Sequence, residues 1–137
     1  MGQNYMGKVE LVSAGSPQAL TNSYAALGGV ISIPGVNQLW ARLVYTAGSE
    51  ANGISLKGRW LKSHDGEIYQ RDLVFSDNGT ALEGREKIWT LPKAEAGAFD
   101  LPILPNGRKY LQLYVTAEGE LGEVPGTIHG DVEFYLV

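Results

Sequence analysis

The sequence predicts an all-β fold in which two antiparallel sheets pack as a sandwich, with little or no helix. Apolar and polar residues alternate along many short runs, and no helical pattern exceeds about two turns. Turn residues separate the runs roughly every ten residues. The chain has 18 glycines in 137 residues, about twice the ~7% of an average protein.

We expect a single β-sandwich domain over residues 1–137. The pattern gives about eight to ten short strands. This number favours a jelly roll, which has roughly eight strands, over the immunoglobulin-like sandwich with its seven. The order of the strands stays open.

Alternation predicts the strands of the first half. Residues 8–13 form a first strand that ends before Pro17, and residues 18–27 are mostly extended, because the two glycines after them would stop a helix early. A short apolar run at 30–33 leads to a strong strand at 38–46. Bulky residues on both faces of that strand predict a central position in its sheet.

The middle of the chain contains two turn signals of the hairpin type. Asp65-Gly66 predicts that a strand at 54–60 returns through 68–75, and Asp77-Asn78-Gly79 predicts a second turn. A brief strand at 87–91 and one helical turn at 92–97 follow. Pro102 and Pro105 confine the next piece to a sheet edge or an extended loop, because proline cannot donate to a sheet ladder.

Residues 108–137 are predicted to form one closing β-hairpin. The apolar side chains of each arm share one face: Leu111, Leu113, Val115 and Ala117 on the first arm, and Ile128, Gly130, Val132, Phe134 and Leu136 on the second. In one register Ala117 faces Ile128, Leu113 faces Val132 and Leu111 faces Phe134 on the inside, while Tyr110 faces Tyr135 and Tyr114 faces Asp131 on the outside.

Composition narrows the classes of function. The absence of cysteine excludes thiol catalysis and cysteine–zinc sites. A net charge of −4 with eleven scattered Lys and Arg argues against a nucleic-acid partner. The sequence shows neither a signal peptide nor an apolar stretch near the ~20 residues that span a bilayer, so we expect a product of cytoplasmic synthesis that does not contact a membrane.

No catalytic or metal-binding constellation is evident, and neither a cofactor nor an enzymatic activity is predicted. The two histidines, His64 and His129, lack a partner at metal-ligand spacing. Asp131 and Glu133 share a face, as ordinary solvated carboxylates do. An enzyme would need an acid–base pair in a cleft, which the sequence does not reveal.

Aromatic residues supply the candidate contact surface. The three tyrosines of the predicted outer face, beside His129 and Asp131, have a composition typical of protein contacts and of sugar-stacking platforms. Coverage by another part of the chain is an equal alternative. The tryptophans are expected mostly in or beside the core. The full set of candidate contact residues is Tyr110, Tyr114, Tyr135, His129 and Asp131, with the loop tips at Glu50 and Glu120.

One stretch resembles a known group of proteins. Its residues run Leu20-Thr21-Asn22-Ser23-Tyr24-Ala25-Ala26-Leu27-Gly28, followed by an isoleucine-rich strand, Pro34-Gly35, a strand at 39–45 and a Gly-Ser-Glu loop into 54–57. This pattern, over residues 18–69, is similar to small β-sandwich and jelly-roll proteins of tailed-phage virions, including capsid cement or decoration proteins. The Ala25-Ala26 pair departs from it, because such proteins often have a bulkier residue and an acid there.

The resemblance implies a non-enzymatic structural protein of the virion. It implies a homotrimer on the capsid lattice, with the major capsid protein or other virion proteins and its own copies as partners. The tyrosines would then make protein contacts. The alternative is a carbohydrate-binding or receptor-binding β-sandwich module, because the same architecture can present aromatic rings to sugars.

Overall fold

The computed structural model describes residues 4–49, 54–67, 72–75, 82–85, 87–94 and 96–137. Within this part of the chain there are twelve strands and no helix. The strands are β1 Asn4–Val12, β2 Gln18–Ala19, β3 Ala25–Ala26, β4 Ile31–Ser32, β5 Gln38–Thr46, β6 Ile54–Ser63, β7 Asp72–Phe75, β8 Leu82–Arg85, β9 Lys87–Ala94, β10 Gly97–Ile103, β11 Tyr110–Glu118 and β12 Thr127–Leu136.

The strands form two five-stranded antiparallel sheets that pack together. The first sheet has the order β1-β12-β5-β10, with β2 also paired to β12. The second has the order β3-β11-β6-β9, with β4 also paired to β11. A separate ribbon pairs β7 with β8. The prediction of an all-β, two-sheet antiparallel sandwich is confirmed.

The connectivity is that of a jelly roll, the architecture that the strand number favoured. β1 and β2 occupy successive stretches of one edge beside β12, and β3 and β4 do the same beside β11. The pairs β1–β12, β3/β4–β11, β5–β10 and β6–β9 are those of one long ribbon folded at its middle. Rolling that ribbon joins β12 to β5 and β11 to β6, which closes the two sheets.

The core lies between the sheets and is built from alternate residues of the long strands. The fully buried side chains of β5 are Leu39, Ala41, Leu43 and Tyr45, and they belong to the same core cluster as the side chains of β11 in the other sheet. β5 lies between β12 and β10, so its predicted central position is confirmed. Among the described strands, β10, which contains Pro102, pairs with β5 alone, as expected for an edge strand.

The predicted closing hairpin is wrong, although its apolar faces are right. β11 pairs with β6 in the second sheet and β12 pairs with β1 and β5 in the first. Leu113 therefore lies opposite Trp60, and Val132 lies opposite Ala41. Residues 119–126 connect the two strands, a longer connection than the roughly two to five residues of a usual hairpin loop. This length lets the chain cross from one sheet to the other.

Two further local predictions are wrong. Among the described strands, β6 pairs with β9 and β11, while β7, which covers residues 72–75 of the predicted return strand, pairs with β8. The helical turn at 92–97 is absent, because β9 continues to Ala94 and β10 begins at Gly97. The strand number exceeds the prediction because three strands have only two residues each. The turn at Asp77-Asn78-Gly79 lies outside the described residues.

Candidate functional site

The outer face of the first sheet gathers charged and aromatic side chains from three strands. Alternation turns Trp40 and Arg42 of β5 away from the core, because Leu39, Ala41 and Leu43 occupy it. Register then places Trp40 between Pro102 of β10 and Glu133 of β12. It also places Arg42 between Asp100 of β10 and Asp131 of β12.

Hydrogen bonds link these side chains into one network. Nε of Arg42 donates to Oδ1 of Asp100 at 3.0 Å, and Nη1 donates to Oε1 of Glu133 at 3.0 Å. The hydroxyl of Tyr135 donates to Oε2 of Glu133. We call Arg42, Asp100, Glu133 and Tyr135 the outer network. Its arginine is thus held by two carboxylates from opposite sides.

The environment shifts the pKa values of the outer network. The hydrogen bond from Tyr135, followed by the bond and the charge of Arg42, lowers the pKa of Glu133 against the opposing effect of burial. The hydrogen bonds to Glu133 and Asp100 raise the pKa of Arg42. The bond to Glu133 also raises the pKa of Tyr135. Glu133 is therefore held ionised, the opposite of what a general acid needs near neutral pH.

A shallow pocket lies on this face. Its volume is about 210 Å³, and it is lined by the outer network and Trp40. The Trp40 and Tyr135 side chains are half-buried, so part of each ring is open to solvent. Tyr5 of β1 packs edge-on against Tyr135, with 5.7 Å between the ring centres. We call this feature the outer pocket. It combines two aromatic rings with charged donors and acceptors.

The outer face of the second sheet is arranged differently. Arg59 of β6 lies over the ring of Tyr24, with its Cζ 4.3 Å from the ring centre, and 5.6 Å from the ring centre of Tyr114. Such cation–π contacts cover part of both rings. Lys57 and Glu118 form an ion pair at 2.8 Å beside them, and their hydrogen bond raises the pKa of Lys57.

The structure divides the predicted contact surface. Tyr135, His129 and Asp131 lie on the outer face of the first sheet, with Asp131 paired to Lys8 at 3.6 Å. Tyr110 and Tyr114 lie on the second sheet, so the three tyrosines do not form one strip. This follows from the separation of β11 and β12. Glu120 is exposed in the connection between these strands, and Glu50 lies outside the described residues.

Tyr110 is partly covered by its own chain. A Cβ added at Gly66 would lie 3.4 Å from Cε2 of its ring, so the Asp65-Gly66 turn packs against the tyrosine. Gly66 has a φ of 80°, which suits a residue without a side chain. The alternative to a contact surface was coverage by another part of the chain. That alternative applies to the side of Tyr110 that faces this turn.

Sequence reasoning missed the residues of β5 and β10 in the outer pocket. Trp40 was expected in or beside the core, but it lies half-buried on the outer face. The sequence pattern that could have placed Trp40 on the outer face is its alternation with the core residues. Trp40 and Arg42 are two residues apart, on the face opposite Leu39, Ala41 and Leu43. No sequence pattern could have placed Asp100 in the pocket, because its contact with Arg42 depends on the pairing of β5 with β10.

The described residues contain no group of three or more His, Cys, Asp or Glu placed to hold a metal ion. Within the same part of the chain, no helix is long and apolar enough to cross a bilayer. No protein-family model matches the sequence, and no curated protein matches it either.

Proposed function

We propose that the chain is a non-enzymatic structural protein of a virion, where it binds capsid subunits and copies of itself. The resemblance of residues 18–69 to phage sandwich proteins motivates the setting. The observation that carries the proposal is a group of exposed apolar side chains at the edge of the first sheet. We call this group the apolar strip: Tyr5, Met6 and Val9 of β1, with Leu136 and Val137 beside them.

Clustering distinguishes the apolar strip from ordinary surface residues. Single exposed apolar side chains are normal on any protein, whereas neighbouring ones mark contact sites. The strip holds five of the eight large apolar side chains that are exposed in the described residues. Register brings the two segments together at one end of the edge, because Asn4 and Tyr5 lie opposite Leu136 and Tyr135, while Val9 lies opposite the buried Val132. Met6 is 54% exposed and Val137 69% exposed.

The contact would be made by side chains and not by an added strand. β1 is an edge strand, and the β-strand pairing beside it is interrupted twice, between Tyr5 and Gly7 and between Glu10 and Val12. Lys8 and Glu10 stand between these interruptions. Bulges and charges on an edge oppose pairing with a further strand. The apolar side chains remain available to a partner surface.

Hydrogen bonds hold one end of the apolar strip in place. Nδ2 of Asn37 donates to the carbonyl oxygen of Val137 at 3.0 Å, and the Val137 N–H donates to Oδ1 of Asn37 at 2.9 Å. The main chain at Val137 is therefore fixed while its side chain stays exposed. Fixing a contact residue before association lowers the entropy cost of binding.

Repetition would give the attachment its strength. A specific contact buries on the order of 800 Å² per partner. On a lattice, several weak contacts of one oligomer act together and their combined affinity exceeds that of each. We propose a homotrimer as the oligomer, which would present three copies of the apolar strip.

Co-sedimentation with capsids tests the proposal. Capsids from the virus that encodes the chain would be pelleted with the wild type, with Met6→Lys and with Val30→Lys. Val30 is 51% exposed on the other sheet's edge, so its substitution adds the same charge elsewhere. We expect the wild type and Val30→Lys to pellet equally and Met6→Lys at least tenfold less. Light scattering of the free protein would report self-association. A wild-type protein that stays monomeric and in the supernatant would overturn the proposal.

A further inference from the structure

We infer that the outer pocket binds one ring of a neutral saccharide. The inference concerns the face of the first sheet and does not rest on the virion role, which concerns its edge. Three features carry it: prearranged hydrogen-bonding groups, two partly open aromatic rings, and a charge balance that disfavours acidic ligands.

The polar groups of the outer pocket are held in position without a ligand. Arg42 is bound by Asp100 and Glu133, and Tyr135 is bound by Glu133 and packed against Tyr5. A site with fixed side chains pays little entropy when it binds. The outer network therefore holds in place, before binding, the side chains that would form hydrogen bonds with a sugar hydroxyl.

Hydrogen-bonding capacity remains on the solvent side of the pocket. A guanidinium has five N–H donors and a carboxylate about four acceptor positions, more than the bonds of the outer network use. The Arg42 side chain is 57% exposed and that of Asp100 46% exposed. Donors and acceptors therefore stand side by side at the surface. A sugar hydroxyl both donates and accepts, so it matches this arrangement.

The aromatic rings of the outer pocket suit the apolar faces of a sugar ring. The faces of a pyranose ring carry C–H groups that pack against aromatic rings, and this contact removes apolar surface from water. Trp40 lies opposite Glu133, and Tyr135 lies two residues further along β12, on the same face and opposite Gln38. Diagonal neighbours of this kind are roughly 7–8 Å apart, so one ring can reach both side chains.

Charge and size narrow the ligand class. Arg42 contributes one positive charge and Asp100 and Glu133 two negative charges, so the pocket is negative overall. The adjacent Lys8–Asp131 pair adds no net charge. Phosphorylated, sulfated or carboxylated sugars would be repelled. A volume of about 210 Å³ lies below the roughly 300–1,000 Å³ of pockets that take drug-sized ligands, which limits the ligand to a single ring.

Titration followed by nuclear magnetic resonance tests the inference on the intact chain. Glucose, galactose, mannose and N-acetylglucosamine would be titrated separately, with glucuronic acid as the acidic probe, while the indole N–H signals of the tryptophans are observed. We expect saturable shifts of the Trp40 indole with at least one neutral sugar and none with glucuronic acid. No saturable shift with any neutral sugar, or a preference for glucuronic acid, would overturn the inference.

Variants separate binding from a purely structural network. Isothermal titration calorimetry compares the variants, because Trp40→Ala lacks the indole signal. Trp40→Ala should weaken sugar binding at least tenfold, and Asp100→Asn, which keeps the shape of the side chain, several-fold. Val44→Ala is the matched control, because Val44 is half-buried on the same face of β5 but does not line the pocket. Affinity that survives Trp40→Ala in a folded variant would overturn the inference. Capsid co-sedimentation uses different variants, so the two proposals can fail independently.

Discussion

The phenol of Tyr135 donates its hydrogen to Oε2 of Glu133, two residues earlier on the same face of β12. The bond depends on the pleat of one strand, which places alternate side chains on one face. Oε1 of Glu133 then accepts from Arg42 on the neighbouring β5. One carboxylate therefore joins the tyrosine of its own strand to the arginine of the next, and its charge state governs both contacts.

We expect the stabilising effect of the Tyr135 hydroxyl to depend on pH. The pKa of Glu133 is lowered from 4.5, chiefly by the bond from Tyr135. Its stabilisation is therefore present above that ordinary value and is lost as the pH falls through the lowered pKa. The pKa of Tyr135 is raised from 10.0 by Glu133. That stabilisation is present below the ordinary value and is lost as the pH rises through the raised pKa.

Urea unfolding of the wild type and Tyr135→Phe near pH 3, 7 and 11 measures this effect. The variant should be less stable at pH 7, and the difference in unfolding free energy should shrink at both extremes. A difference that is the same at all three pH values would show that the hydroxyl does not act through these ionisations.

Gly28→Ala should destabilise the fold strongly. Gly28 has a φ of 68°, and an added Cβ would lie 2.2 Å from the carbonyl oxygen of Leu11 on β1. Left-handed backbone costs about 1–3 kcal/mol for other residues, and overpacking costs about 1–3 kcal/mol more. We therefore expect a loss of about 2–6 kcal/mol in urea unfolding.

The adjacent glycine supplies the control for this substitution. Gly29 has no atom within 4 Å of an added Cβ, so Gly29→Ala should change the unfolding free energy by less than about 0.5 kcal/mol. Equal effects at Gly28 and Gly29 would contradict the close approach of residue 28 to β1.

Asn22→Ala should loosen the start of the connection between β11 and β12. Its Nδ2 donates to the carbonyl oxygens of Ala117 and Gly119, both at 2.9 Å. Loss of hydrogen bonds of this kind costs about 0.5–1.5 kcal/mol each, and partial exposure favours the lower end. Thermal unfolding should show the loss, whereas Ser23→Ala, at an exposed neighbour, should leave the midpoint unchanged. An unchanged midpoint for both variants would refute this role of the amide.

Asn37→Ala should speed amide hydrogen exchange at Val137, because it removes the acceptor of that N–H. Each 1.4 kcal/mol of lost protection corresponds to about a tenfold faster exchange. Asn4→Ala is a suitable control, because Asn4 is exposed at the edge strand. Unaltered exchange at Val137 in the Asn37 variant would show that the amide contact does not hold this segment.

On β11 and β12 the sequence was sufficient to predict which side chains enter the core. Leu111 and Leu113, like Val132 and Phe134, are buried as alternation required. Leu136 is the exception at 40% exposure, because it is the last residue of β12. Alternation reports which side of a strand is dry, and this property is local.

The alternation of apolar and polar residues could not predict which strands pair. Leu113 suits a place opposite Val132 as well as its actual place opposite Trp60, because both arrangements bury apolar side chains. The outer pocket depends on such partners, since Arg42 meets Asp100 and Glu133 from strands far away along the chain. Tyr135 and Glu133 shared a predicted face, but no local signal placed Trp40 beside them.

The rolled ribbon places β11 and β12, which follow the other described strands along the chain, in the interior of the two sheets. β12 separates β1 from β5, and β11 separates the β3/β4 edge from β6. During synthesis, β1 and β5 therefore have no shared neighbour until residues 127–136 leave the ribosome. Until residues 127–136 have been synthesised, a nascent chain of this topology leaves its apolar faces uncovered, so it depends on protection from aggregation during that interval.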